Sequence, residues 1–134
     1  MPLQTKTSTA KVVLGVAAAI TIAAIANAIV SYLAQALGAD PNAVEGLKPQ
    51  GYIVLTAIGV IIAAFAWASI RKRAKNPART LSKLVPTVVA LSFLADVPVY
   101  FLPGASLIGV LALMLMHVVV AAVAVPIFRR VLPV

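Results

Sequence analysis

The sequence has no cysteine, only three acidic residues and a single histidine among its 134 residues. Without cysteine the chain has no disulfide bond, no thiolate nucleophile and no cysteine-held metal or cluster. A Gly-x-Ser-x-Gly elbow, a phosphate-binding glycine loop and a His-Glu-x-x-His motif are missing as well. Within the apolar part of the chain, one His and one Asp also fall short of the three protein ligands usual at catalytic zinc. We therefore expect a non-enzymatic protein with no metal and no cofactor.

Charge is scarce as well. Charged residues make up 10% of the chain and hydrophobic residues 63%, whereas about a quarter of the residues of a soluble domain are charged. Water cannot be the main solvent of such a chain. The length fits one domain, so we expect residues 1–134 to form a single integral membrane domain. The net charge of +8 then indicates orientation and contact with lipid rather than a nucleic-acid partner.

Four long apolar runs cover residues 12–37, 52–70, 84–102 and 107–128. Each is long enough to cross about 30 Å of hydrocarbon as a helix. None of the runs has the polar face that a helix of a soluble bundle exposes. The sequence therefore predicts an all-α, four-helix transmembrane bundle. A cleavable signal peptide is the alternative for the first run, because Ala26-Asn27-Ala28 resembles a cleavage site. However, the run is longer than the roughly 7 to 15 apolar residues of such a peptide.

The basic residues predict the orientation of the bundle. Ten of the eleven Lys and Arg precede the first run, separate the second from the third, or follow the fourth; only Lys48 does not. By the positive-inside rule, both the N and C termini are then cytoplasmic. The central basic stretch is interrupted by Asn76-Pro77, which should break any continuous helix. Its candidates for lipid headgroup contact are Arg71, Lys72, Arg73, Lys75 and Arg79.

Small residues and prolines predict how the helices pack. Ala24 and Ala28 in the first run, and Gly59 and Ala63 in the second, have the four-residue spacing that lets membrane helices approach closely. We therefore expect a tight contact between the first two helices. Pro86 is expected in the first turn of the third helix, where a missing N–H is harmless. Pro98 is expected to bend that helix beside Asp96.

Few polar side chains fall within the hydrocarbon region. An aspartate at mid-span is unfavourable by about 2.5 to 3.5 kcal/mol, so Asp96 should face the bundle and have a partner. Counting about 1.5 Å per residue from the outer ends of the spans places Asp96 and Thr56 roughly 8 to 10 Å deep in the membrane. The same count places Asn27, Ser92 and His117 roughly 16 to 18 Å deep. From depth alone we form the hypothesis that one cluster contains the candidate residues for binding a ligand or a proton. Its members are Asn27, Ser92, Asp96 and His117.

The run Leu115-Met116-His117, the following Pro126, the lone Asn27 and the basic loop before the third run carry a resemblance. Together they resemble a family of small four-helix bacterial membrane proteins known only as a domain of unknown function. The resemblance covers nearly the whole chain. It implies a multi-pass protein of the bacterial cytoplasmic (inner) membrane, and it singles out Asn27 and His117.

Two functional hypotheses remain open at this point. In the first, the chain is a small polytopic membrane protein whose buried polar pocket binds a small ligand or relays protons. In the second, it is an accessory or scaffold subunit, in which the polar residues merely connect helices. Its expected partners are the lipid bilayer and either further copies of itself or a larger membrane complex. A cleft reaching the polar residues would favour the first hypothesis, and a fully packed interior the second.

Overall fold

A computed structural model describes residues 7–134; Lys6, one of the predicted cytoplasmic basic residues, lies outside them. The described residues form four helices, α1 (Thr9–Ala36), α2 (Pro49–Arg73), α3 (Pro77–Asp96) and α4 (Leu107–Val131), and no strand. Two 3₁₀ turns, Glu45–Leu47 and Val97–Phe101, precede α2 and follow α3. All four helices, α3 together with its 3₁₀ extension, are long and apolar enough to cross a membrane. The structure confirms the predicted all-α, four-helix fold of a multi-pass membrane protein.

The helices form an up-down-up-down bundle. Both α1 and α3 pack against α2 and α4, and the most extensive contact joins α1 to α4. This is the arrangement expected when short connections link antiparallel neighbours. We call the end that carries Thr7 and Val134 the terminal end, and the end that carries residues 37–48 and 102–106 the loop end.

The contact between α1 and α4 depends on a stripe of small residues. The buried residues of α1 recur at nearly every fourth position and are Gly15, Ala19, Ala23, Asn27, Ser31 and Ala34. At Gly15 the helices are so close that an added Cβ would lie 2.8 Å from Cγ1 of Val131. The sequence predicted a tight contact between the first two helices through Ala24 and Ala28, but both residues are only half-buried. The stripe that packs lies one residue earlier along α1 and faces α4.

Two apolar clusters fill the ends of the bundle. At the terminal end Trp67 and Phe128 pack edge to face, with ring centroids 5.6 Å apart, and Trp67 Nε1 donates to the Leu132 carbonyl at 2.9 Å. At the loop end Val44 and Leu47 are fully buried against Ala112 and Met116. The interior between these clusters holds most of the buried polar side chains.

The helix ends differ in detail from the predicted runs. The break at Asn76-Pro77 is confirmed, since α2 ends at Arg73 and the Asn76 side chain accepts a hydrogen bond from the Arg79 N–H at 3.1 Å. Because α3 begins at Pro77, Pro86 lies inside the helix and not in its first turn, where it was predicted. Pro98 lies in the 3₁₀ turn Val97–Phe101. It therefore follows the end of the α-helix instead of bending it.

The α1–α4 contact can be tested with two glycines. Gly15→Leu should lower stability by about 1 to 3 kcal/mol, because the added side chain overpacks a filled interface. Gly59→Leu is the matched control on α2, since no atom lies within 4 Å of a Cβ added there. We expect the unfolding temperature of Gly59→Leu in detergent to equal or exceed that of the wild type, because leucine also favours a helix more than glycine does. Equal unfolding temperatures for Gly15→Leu and the wild type would contradict the packing.

Candidate functional site

A cleft of about 630 Å³ lies between α2 and α3, with α4 as its floor. Small side chains create it: Gly59, Ala63 and Ala66 on α2 leave space facing α3, and Ala121 and Ala124 on α4 do the same. The weak attachment of α3 adds to the space, since Leu81 and Asp96 are the buried residues of that helix. The volume lies within the range of about 300 to 1,000 Å³ that is typical of ligand sites.

The cleft opens on the flank of the bundle. Leu55 and Ile62 on α2 and Val88 on α3 line it, and each has about half or more of its surface exposed. In a membrane this flank contacts acyl chains, because both helices are long enough to span the hydrocarbon. A molecule dissolved in the bilayer can therefore enter the cleft from the side.

Four polar side chains line the cleft partway along its length: Asn27, Thr56, Ser92 and His117. The register of α1 against α4 explains why Asn27 and His117 share a level. Gly15 faces Ile127 and Val131, and the two helices run in opposite directions. Asn27 lies twelve residues after Gly15 on α1. The positions twelve residues before Ile127 and Val131 on α4 are Leu115 and Val119, and His117 lies midway between them.

Asn27 bridges two helices but leaves one atom without a partner. Its Nδ2 donates to Thr56 Oγ1 on α2 at 3.0 Å, and the residue is only 2% exposed. Its Oδ1 is buried and accepts no hydrogen bond. Most buried polar atoms are hydrogen-bonded, so such an orphan acceptor requires an explanation.

Asp96 and His117 form a close pair between α3 and α4. His117 Nδ1 lies 2.9 Å from Asp96 Oδ2 and 2.9 Å from the Leu113 carbonyl oxygen. Two oxygens beside Nδ1 indicate that it carries the hydrogen. That hydrogen is aligned with Leu113, and Asp96 Oδ2 receives no well-directed hydrogen bond. The contact between Asp96 and His117 is therefore mainly electrostatic.

The four residues predicted as one cluster occupy two related positions. Asn27, Ser92 and His117 line the cleft, whereas Asp96 lies behind His117 and is not part of the lining. Ser92 Oγ donates to the carbonyl of Val89 in its own helix at 2.6 Å. Three of the predicted members therefore line one cleft, in which Asn27 has Thr56 as its partner, and the fourth, Asp96, has His117.

The predicted headgroup residues lie at the terminal end. Arg71 connects the end of α2 to the residues beside α1 and α4, because its Nε donates to the Pro133 carbonyl at 2.7 Å and its Nη1 to Thr7 Oγ1 at 2.9 Å. The other four are exposed and available to lipid: Lys72, Arg73, Lys75 and Arg79.

Sequence reasoning did not find the cleft itself. The four-residue spacing of Gly59 and Ala63 predicts a packed helix contact. In the structure both residues are instead exposed along the cleft. Ser31 was also missed; its hydroxyl donates to the Leu47 carbonyl and holds the loop-end connection onto α1. Within residues 7–134, no three His, Cys, Asp or Glu side chains gather as a metal site would require.

Comparison with known proteins identifies a family whose function is unknown. Residues 7–134 match a family of unknown function, DUF6069. No curated protein and no solved structure matches the chain. The function must therefore be inferred from the geometry of the cleft.

The Asn27–Thr56 bridge can be measured with a double-mutant cycle. The cycle compares Asn27→Leu, Thr56→Val and the double variant by thermal or denaturant unfolding in detergent. We expect a coupling energy of about 0.6 kcal/mol, the average for hydrogen bonds between membrane helices, and at most about 2 kcal/mol. Effects of the two substitutions that simply add would mean that these side chains do not connect α1 to α2.

Proposed function

The chain belongs to the DUF6069 family, whose function is unknown, and we propose that it is a non-enzymatic membrane protein that binds a membrane-dissolved molecule in the cleft between α2 and α3. The observation that carries this proposal is a cavity of about 630 Å³ lined mainly by apolar side chains, with a few polar groups at one level. That combination is the usual character of a small-molecule site.

The lining supports an apolar ligand that enters from the bilayer. It includes no Lys, Arg, Asp or Glu. The flank of the cleft is open where α2 and α3 face lipid, so no aqueous path is needed for entry. An apolar molecule with one polar group would place that group near Asn27 and His117 and its chain along the small residues of α2 and α4.

A proton relay across the membrane has less support. Asp96 and His117 are in contact, as a relay would require, but a pathway needs further ionisable groups on both sides. In the described part of the chain no third carboxylate or histidine joins the pair. The pair is better suited to hold or exchange a proton with a molecule bound in the cleft.

One observation favours the second candidate, an accessory subunit. The face of α3 carries exposed apolar side chains such as Val88, Leu91 and Leu94, and a helix of a partner protein could cover them. These side chains are bulky, however, whereas close helix contacts in membranes favour small residues. Ligand entry from lipid therefore explains the open flank better than a missing subunit does.

We further propose that the protein lies in the bacterial cytoplasmic membrane with both termini cytoplasmic. The support is charge: Lys11, residues 71–83 and Arg129 and Arg130 belong to the terminal end. The loop end carries Asp40 and Glu45, and its one basic residue, Lys48, pairs with Glu45 at 3.0 Å.

Orientation can be tested directly because the chain has no cysteine. A cysteine introduced as Asn42→Cys should react with a membrane-impermeant maleimide added to spheroplasts of the expressing bacterium. Lys75→Cys, exposed at the opposite end, should react only after the membrane is opened. The reverse labelling pattern would contradict the positive-inside assignment.

Ligand binding can be followed through Trp67, the single tryptophan of the chain and part of the cleft lining. In detergent, a brominated dodecane should quench its fluorescence in a saturable manner. Gly59→Leu should weaken this binding about tenfold, because the added side chain occupies the cleft and overfilling an apolar space costs about 1 to 3 kcal/mol. Ile61→Leu is the control on the same helix, since Ile61 is exposed but does not line the cleft. Unsaturable quenching, identical in all three proteins, would show collision with detergent-dissolved probe and no binding site.

A further inference from the structure

Asn27, one of the residues that line the cleft, carries a buried oxygen without a hydrogen-bond partner. Its amide nitrogen already donates to Thr56, whereas its Oδ1 is buried and accepts nothing from the described residues. A buried acceptor without a donor is unfavourable, and the two-sided geometry of an amide leaves this oxygen free to accept. Because Asn27 lines the cleft, a bound molecule that carries a hydrogen-bond donor would satisfy it.

His117 provides the second polar contact at the same level. Its Nδ1 faces Leu113 and Asp96, and 41% of its side chain is exposed. The opposite edge of the ring, which carries Nε2, therefore faces the cleft. In the neutral ring Nε2 accepts a hydrogen bond, and in the protonated ring it donates one. Beside the protonated ring a hydroxyl group satisfies both contacts, because it donates its one hydrogen to Asn27 Oδ1 and accepts from Nε2. Beside the neutral ring that single hydrogen serves one of the two acceptors. A carbonyl has no hydrogen to donate and cannot satisfy Asn27.

The charges around the cleft argue against an ionic headgroup. No basic side chain lines the cleft to bind a phosphate or carboxylate. Asp96, buried directly behind His117, adds no positive charge there. A cationic group would need the Asp96 carboxylate, which the His117 ring separates from the cleft. The lining therefore suits an uncharged polar group.

We propose that the cleft binds an uncharged long-chain alcohol or phenol, with its hydroxyl held between Asn27 Oδ1 and His117 Nε2. Asp96 is then a positioning residue, because it holds the His117 ring with Nε2 toward the cleft. This inference rests on the proposed function and adds the chemical class of the ligand.

Three brominated probes with the same twelve-carbon chain test the inference: an alkane, a primary alcohol and a carboxylate, each titrated against Trp67 fluorescence. For the wild type we expect the alcohol to bind about fivefold more tightly than the alkane, which corresponds to about one net hydrogen bond. The carboxylate should bind no more tightly than the alkane.

The variants separate the hydroxyl contact from the apolar cleft. Asn27→Leu and His117→Leu should each reduce the preference for alcohol over alkane to about one, while alkane binding persists. Asp96→Asn should lower the preference as well, because the His117 ring loses the carboxyl oxygen that lies against Nδ1. Ser31→Ala is the matched control: Ser31 is a buried polar residue of α1 that bonds to Leu47 and does not line the cleft, so the preference should stay unchanged.

The outcomes distinguish the two proposals. Equal binding of alcohol and alkane by the wild type overturns the hydroxyl contact and leaves the cleft as an apolar site. Preference for the carboxylate overturns it in favour of an anionic headgroup. Absence of saturable binding for every probe overturns the proposed function, and with it the inference.

Discussion

The close approach of α1 to α4 is the most extensive helix contact in the bundle, and the polar part of the cleft depends on it. In lipid no hydrophobic gain drives helices together, so association depends on backbone proximity and on polar contacts. The small-residue stripe from Gly15 to Ala34 provides the proximity. It also fixes the register between the two helices, and that register brings Asn27 to the level of His117. The polar part of the cleft is therefore a consequence of the packing between α1 and α4.

Small residues serve two purposes in this chain. At Gly15 a neighbouring helix fills the space, and the result is tight packing. At Gly59 no atom lies within 4 Å of an added Cβ, and the result is an opening. The difference arises from α3, in which Leu81 and Asp96 are the buried residues. The bundle thus combines a closely packed pair, α1 and α4, with an open side between α2 and α3.

The sequence predicted the number of spans and the break at Asn76-Pro77, because bilayer thickness and the missing proline N–H constrain them directly. It did not predict which small residues pack, since a four-residue spacing indicates a face without indicating its partner.

The sequence also separated Asp96 from His117 in depth, although the two side chains are in contact. Helical side chains tilt toward the N-terminus of their own helix. Because α3 and α4 are antiparallel, these two side chains point toward each other, and backbone depth alone overestimates their separation. The proposed class of ligand could not be predicted, because that proposal rests on an unpaired atom, Asn27 Oδ1, that only the packed structure shows.

The most direct test of the central claim is an experimental structure determined from crystals grown in a lipidic mesophase. The claim is that α2 and α3 enclose a lipid-accessible cleft ending at Asn27 and His117. The account predicts elongated density between these helices, with its polar end beside those two residues. Direct packing of α2 against α3, with side chains of α3 occupying the space beside Gly59, would contradict it.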